Sequence, residues 1–198
     1  MTSLRVERGA VFVDRDGVIC ENRPDHVTSW SEFVFVPGAV EALASLSRAK
    51  VPLYIVTNQA VVGRGLLSRR SLDQIHEKML GVLYGSGATV ASILVCPHHP
   101  DDQCACRKPN PGLLREAEAR FDIDLKRSFM IGDAATDIEA GQSAGTTTIL
   151  VKTGRGADTV RRRGAPKADF VAEDLVDAAI WILSQKAVRI GRTEVRTR

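Results

Sequence analysis

Long apolar runs, aromatic rings and surplus charge are all scarce in this chain, and each shortage removes a class of function. No stretch approaches the roughly 18 to 20 consecutive apolar residues of a membrane span, so no membrane partner is expected. Residues Met1 to Ala10 lack the basic-then-apolar plan of a secretory signal, and a cytoplasmic location is expected. With only Phe 6, Trp 2 and Tyr 2 in 198 residues, the chain offers few platforms for stacking bases. The net charge of +3 belongs to one end: Lys186 to Arg198 carries five bases against Glu194, which leaves 22 bases and 23 acids in residues 1–185. A body that close to neutrality argues against a nucleic-acid partner.

What is present fits an ordinary globular domain: 44% hydrophobic and 26% charged residues. Repeats and low-complexity linkers are lacking, so the expectation is one domain over residues 1–186, a basic tail over 187–198, and a monomer. Short apolar runs alternate with helical periodicity. Ala10–Val13, Leu53–Val56, Val90–Val95, Phe129–Ile131 and Thr147–Val151 read as strands. Between them lie helical stretches: one opened by Pro37-Gly38 with Val40, Leu43 and Leu46 on one face, another over 68–84 capped by Ser68, a third led by Pro111, and two more over 135–143 and 174–184. Strands separated by helices predict an α/β fold, an open, mostly parallel sheet with helices on both faces.

Polar residues fall where such a sheet gathers its ligands, at the carboxyl ends of the strands. Asp14 and Asp16 follow the first strand, Thr57 and Asn58 the second, Gly132 and Asp133 the fourth. Two carboxylates one residue apart can divide the work of nucleophile and proton donor. Asp133, with Asp137 one helical turn later, adds oxygen donors suited to Mg²⁺. Lys108 supplies a compact positive charge for a phosphoryl oxygen, and Thr57 a hydroxyl. Together these are the parts for phosphoryl transfer.

Taken in order, Asp14-x-Asp16-Gly17-Val18, Thr57-Asn58-Gln59, Arg107-Lys108-Pro109 and Gly132-Asp133-x-x-x-Asp137 resemble the four motifs of the haloacid dehalogenase (HAD)-like phosphatases. Two further stretches narrow the likeness. Thr57 to Ala60 with Gly63-Arg64-Gly65, and Cys96-Pro97-His98-His99-Pro100 running into Cys104-Ala105-Cys106, are similar to the D-glycero-D-manno-heptose 1,7-bisphosphate 7-phosphatases. The histidinol-phosphatase branch is closely related, and the likeness spans roughly residues 10 to 155.

The resemblance implies a HAD-like Rossmannoid fold with a minimal cap and a zinc-binding loop. It implies Asp14 as nucleophile and Mg²⁺ ligand, and Asp16 as acid and then base, with its backbone carbonyl on the metal. Thr57 and Lys108 would stabilise the phosphoryl group, Asn58 and Arg107 would bind substrate, and Asp133 would ligate Mg²⁺. Asp137 is either an ordinary helix acid or a residue that holds the metal's outer shell or orients Lys108, and Arg64 either a phosphate-binding group or a solvated loop charge. Cys96, His98, Cys104 and Cys106 form a four-ligand set for structural Zn²⁺, with His98 chosen over His99 by the Cys-x-His pattern. The implied activity is hydrolysis of a small sugar phosphate, foremost the 7-phosphate of a heptose 1,7-bisphosphate, with histidinol phosphate as the rival substrate. A polynucleotide 3′-phosphatase and a non-catalytic zinc-stabilised binding module are the more distant alternatives. The chain departs from the heptose-type pattern at Cys20, at Arg23 to His26, at Ala60 to Val62 and at Ala134, changes that bear on the leaving group rather than on the reaction.

Overall fold

The computed structural model describes residues 9–194, with side chains as far as Gln185. Six parallel strands form one sheet: β1 (Val11–Val13), β2 (Leu53–Asn58), β3 (Ser92–Cys96), β4 (Phe129–Gly132), β5 (Thr147–Val151) and β6 (Phe170–Ala172), in the order β3-β2-β1-β4-β5-β6. Seven α-helices accompany them: α1 (Ala39–Arg48), α2 (Ala60–Gly63), α3 (Arg69–Gly85), α4 (Gly112–Phe121), α5 (Ala135–Ala144), α6 (Gly156–Arg161) and α7 (Leu175–Glu194).

Side chains alternate across a strand, and here the alternation divides two cores. Val11, Val13, Leu53, Ile55 and Ile131 face a cluster built with Leu43 and Leu46 of α1, Leu72, Met79 and Leu83 of α3, and Ala178 and Ile182 of α7. Phe12, Tyr54, Val56 and Met130 face the other cluster, with Leu113, Leu114 and Ala117 of α4 and Ala140 and Ala144 of α5. A sheet covered on both faces explains why its strands read as continuous apolar runs.

The expected strands and helices are all present, with differences that have physical reasons. The sequence pattern passed over β6, α2 and α6, which are three, four and six residues long and too short to show periodicity. Pro111 sits at the N-cap of α4 rather than in its first turn, one position earlier than expected. Ser68 caps α3, its side chain accepting from the Ser71 amide. The tail expected from 187 begins as helix: α7 continues to Glu194, and 195–198 lie outside the described residues.

Sheet order decides where the site lies. The chain leaves β1 towards β2 and β3 on one side and returns to β4, β5 and β6 on the other, so β1 and β4 are neighbours at the switch point. In an open α/β sheet that crevice, at the carboxyl ends, is the ligand-binding edge. Val13 pairs with Ile131, and the Asp14 amide donates to the Ile131 carbonyl at 2.9 Å.

Candidate active site

Asp14 leaves β1 as the chain turns, and its Oδ1 lies 2.9 Å from Lys108 Nζ and 2.7 Å from the amide of Arg15. Lys108 is buried and reaches the edge from the loop before α4. Its ammonium also meets Asp137 Oδ1 at 2.7 Å and donates to the Val56 carbonyl at 2.9 Å. Asp137, on the first turn of α5, is thus bound to Lys108, and its Oδ2 accepts from the Ala134 amide at 3.0 Å. Asp133 is fixed from the loop after β5 and from α6: the Arg155 amide donates to its Oδ2 at 2.7 Å, and Thr159 Oγ1 to its backbone carbonyl at 3.0 Å. Gly17 makes this closeness possible. Its φ is +82°, and a Cβ there would stand 2.0 Å from Asp133 Oδ2.

Asp14, Asp133 and Asp137 each offer a carboxylate oxygen, and the three oxygens lie within 4.8 Å of one another. Their crowding is visible in the acidities of Asp14 and Asp133. Burial, reinforced by the charges of Asp137, Asp133 and Asp16, pushes Asp14 up to about 8 against the opposing pull of Lys108. Burial likewise raises Asp133 to about 6, although the Arg155 amide works the other way. Lys108 is raised: burial alone would lower it, and the charges of Asp137 and Asp14 override that. Buried carboxylates in excess of the cation beside them are a donor set suited to a hard divalent ion.

Asp16 points elsewhere, outside that three-carboxylate group. Its Oδ1 accepts from Arg15 Nη2 at 2.8 Å and from the Cys20 thiol at 3.6 Å, and its Oδ2 from Gln59 Nε2 at 2.7 Å. Burial would raise its pKa, but the Arg15 charge and the hydrogen bonds from Arg15 and Gln59 hold it below the usual carboxylate range. With 26% of its side chain exposed, it remains reachable from the cleft. Gln59 Nε2 also donates to Thr57 Oγ1 at 2.8 Å, which links the ends of β1 and β2.

Asn58, expected on substrate, is engaged with protein. Its Nδ2 donates to the Lys108 carbonyl at 3.0 Å, and its Oδ1 accepts the Lys108 amide at 3.1 Å. This reciprocal pair ties β2 to the turn that carries Lys108, so the geometry gives Asn58 a bracing role. Arg107 is half-buried, with Nη1 lacking a hydrogen-bond partner, while Arg64 is exposed on the turn after α2.

The second cluster lies next along the chain from this edge. Sulfur atoms of Cys96 and Cys104 are 3.5 Å apart and those of Cys104 and Cys106 3.4 Å, with His98 Nδ1 3.2 Å from Cys106 Sγ and 3.7 Å from Cys96 Sγ. Zinc–sulfur bonds in a tetrahedral site would put thiolates about 3.8 Å apart, close to these separations. Burial would raise Cys104, yet hydrogen bonds from Cys106 and Cys96 bring it down to about 7, while burial and its two thiol neighbours push Cys106 to about 12. All four cysteines are unpaired.

The chain is similar to known proteins in both sequence and fold. Residues 105–178 match the HAD-hydrolase-like family model. The D-glycero-beta-D-manno-heptose-1,7-bisphosphate 7-phosphatase of Bordetella bronchiseptica is 39% identical over 175 residues, which is 88% of this chain and 98% of that one. Its counterpart in Pseudomonas putida is 36% identical, over 85% and 96% of the two chains. A crystal structure of the D,D-heptose 1,7-bisphosphate phosphatase from B. bronchiseptica, complexed with magnesium and phosphate, superposes with a TM-score of 0.86, at 38% identity and over 89% of this chain and 99% of that one. The chain belongs to this family of HAD-like phosphatases.

For this phosphatase, the sequence pointed to the carboxylates and Lys108 but not to the residues behind Asp16. Arg15 is 1% exposed, and besides Asp16 it donates from Nη2 to Gln59 Oε1 at 3.0 Å and lies 3.1 Å, through Nη1, from His76 Nε2. One signal for His76 was available: on α3 it shares the spacing of the apolar residues Leu72, Met79 and Leu83, a position that buries its imidazole. Burial and the Arg15 charge lower its pKa to about 4. Among the described residues, no helix is long and apolar enough to cross a membrane.

Proposed function

We propose that this chain is a Mg²⁺-dependent phosphomonoesterase that removes the 7-phosphate of D-glycero-D-manno-heptose 1,7-bisphosphate through a phosphoaspartate on Asp14. The observation that carries the reading is the meeting of Asp14, Lys108, Asp133 and Asp137 at the β1–β4 switch point, although they come from three separate segments.

In this mechanism an Asp14 carboxylate oxygen attacks phosphorus, and the bond from phosphorus to the sugar oxygen breaks. Asp16, a carboxylate in the resting site, takes up a proton from solvent as the negative phosphate enters beside it and delivers that proton to the departing oxygen. Asp16, now a carboxylate, takes a proton from the incoming water, whose oxygen attacks phosphorus and releases Asp14 and inorganic phosphate. Lys108 and Thr57 offset the charge that builds on the phosphoryl oxygens, and because Lys108 is already held by Asp137 and Val56 little rearrangement is needed as that charge appears. The side chains of Asp14 and Asp133 with the backbone carbonyl of Asp16 would hold Mg²⁺, which would keep Asp14 ionised and supply charge neutralisation on the transferring group. Arg107, with its unpartnered Nη1, and Arg64 are the substrate-binding cations, and Asn58 braces Lys108. Cys96, His98, Cys104 and Cys106 would hold Zn²⁺ in a closed structural site. A reduced, metal-binding set of thiols fits the cytoplasm.

A panel of phosphate esters tests the reading. With Mg²⁺ present, kcat/KM should be highest for a heptose 1,7-bisphosphate, both anomers being assayed, and EDTA should abolish turnover. A preference for histidinol phosphate would overturn the substrate assignment, and a protein inactive on the whole panel would overturn the enzymatic reading.

A further inference from the structure

The network behind Asp16 has no part in the mechanism above, and it is costly. Arg15 is a guanidinium at 1% exposure beside the core, where its Nε finds no partner at all. Burying such a group costs several kcal/mol unless it is paired well, and a packed apolar side chain in its place is commonly as stable or more so. An arrangement that keeps the charge and leaves one donor unsatisfied is poorly explained as a device for stability.

What the network does achieve is geometric. Arg15 Nη2 holds Asp16 Oδ1 at 2.8 Å, and Gln59 Nε2 holds Asp16 Oδ2 at 2.7 Å, so both oxygens of one carboxylate are fixed from the protein side. Gln59 and Arg15 also hold each other, through Oε1 and Nη2 at 3.0 Å. His76 secures the far nitrogen of the guanidinium at 3.1 Å. An arginine only donates, so His76 Nε2 accepts. The second donation of Gln59, to Thr57 Oγ1 at 2.8 Å, ties this unit to the phosphoryl-facing end of β2.

We propose that Arg15, held in place by His76 and Gln59, is a positioning residue for proton transfer: it fixes the Asp16 carboxyl at the angle from which it serves the leaving-group oxygen. The inference rests on the reading of Asp16 as acid and base. Positioning of this kind affects only esters that need a proton on departure, so Arg15 and His76 set the preference for alkyl over aryl phosphates.

The test compares kcat/KM for a sugar phosphate, a poor leaving group, with that for 4-nitrophenyl phosphate, which departs without a proton. Both are measured at saturating Mg²⁺, and kcat/KM reports the step that expels the alcohol. Asp16→Ala serves as reference and should depress the sugar phosphate by about 100-fold or more while the aryl ester falls far less. Arg15→Lys keeps the charge but loses the fork, and should lower the sugar phosphate by about 10- to 100-fold with a much smaller effect on the aryl ester. His76→Leu should shift the ratio in the same direction, and His76→Gln, which retains an acceptor, should restore much of it. If Asp16→Ala lowers both esters equally, the acid reading falls and this inference falls with it. If Asp16→Ala is selective while Arg15→Lys and His76→Leu lower both esters equally, or neither, the positioning role alone is overturned. Should Arg15→Lys fail to fold by circular dichroism, the His76 pair decides by the same ratio.

Discussion

Lys108 shows best what one residue contributes. A buried ammonium between Asp14 and Asp137 neutralises two carboxylates that could not otherwise lie side by side at low cost. Lys108→Met should therefore cost about 3 kcal/mol or more of stability, read as a lowered midpoint in urea, and should eliminate turnover. A second prediction concerns His76. Its pKa is about 4 folded and 6.5 unfolded, so the unfolded chain takes up the proton first. The contribution is fully present above pH 6.5 and is lost as pH falls towards 4. The change is about 3 kcal/mol from the linkage of protonation to folding. Asp14 and Asp133, raised in the fold, push stability the opposite way as they ionise, so the comparison is with His76→Gln. Between pH 6.5 and 4 the wild type should lose stability relative to that variant, and parallel curves would refute the assignment. These residues differ in how readable they were. Asp14, Asp133 and Lys108 stand at strand ends or in a motif, whereas the contact of Arg15 with His76 spans 61 positions and depends on burial that one-dimensional pattern does not encode.

At the scale of elements, the loop from Cys96 to Lys108 links the cysteine–histidine cluster, the proposed zinc site, to the active site. Cys106 and Lys108 are two residues apart, and Asn58 clamps the Lys108 backbone from β2. The turn at Gly63 packs so close to the loop that a Cβ there would stand 2.3 Å from the His99 amide nitrogen. Any loosening of the ligand cluster should therefore reach Lys108. Cys104→Ser is expected to leave the protein with substoichiometric zinc by metal analysis and to lower kcat/KM by about 100-fold, the scale of an ångström's misplacement of a catalytic group. One equivalent of zinc with unchanged turnover would contradict the ligand set. The loop was legible because its cysteines crowd together. Strand β6 and helices α2 and α6 were not, since each is shorter than the window in which a period shows.

For the whole molecule, a parallel sheet with two cores has one edge where strand ends converge, and the β1–β4 switch point gives that edge its crevice. This is why alternation of strands and helices, the easiest feature to read, already located the site before any contact was known. It is also why the leaving group was harder to read: on the proposed function the Asn22 to Trp30 loop, the turn at Arg64 and the loop from Cys96 to Cys106 would select it, and none of the three follows from periodicity. On the proposed mechanism, this convergence makes the Asp14 carboxylate the nucleophile towards phosphorus. Enzyme quenched during turnover and reduced with borohydride converts a phosphoaspartate to homoserine, which peptide mass spectrometry locates. Homoserine is expected at position 14 in the wild type and absent in Asp14→Asn; an enzyme that turns over substrate yet yields no homoserine there, or yields it at another aspartate, would contradict a nucleophilic Asp14.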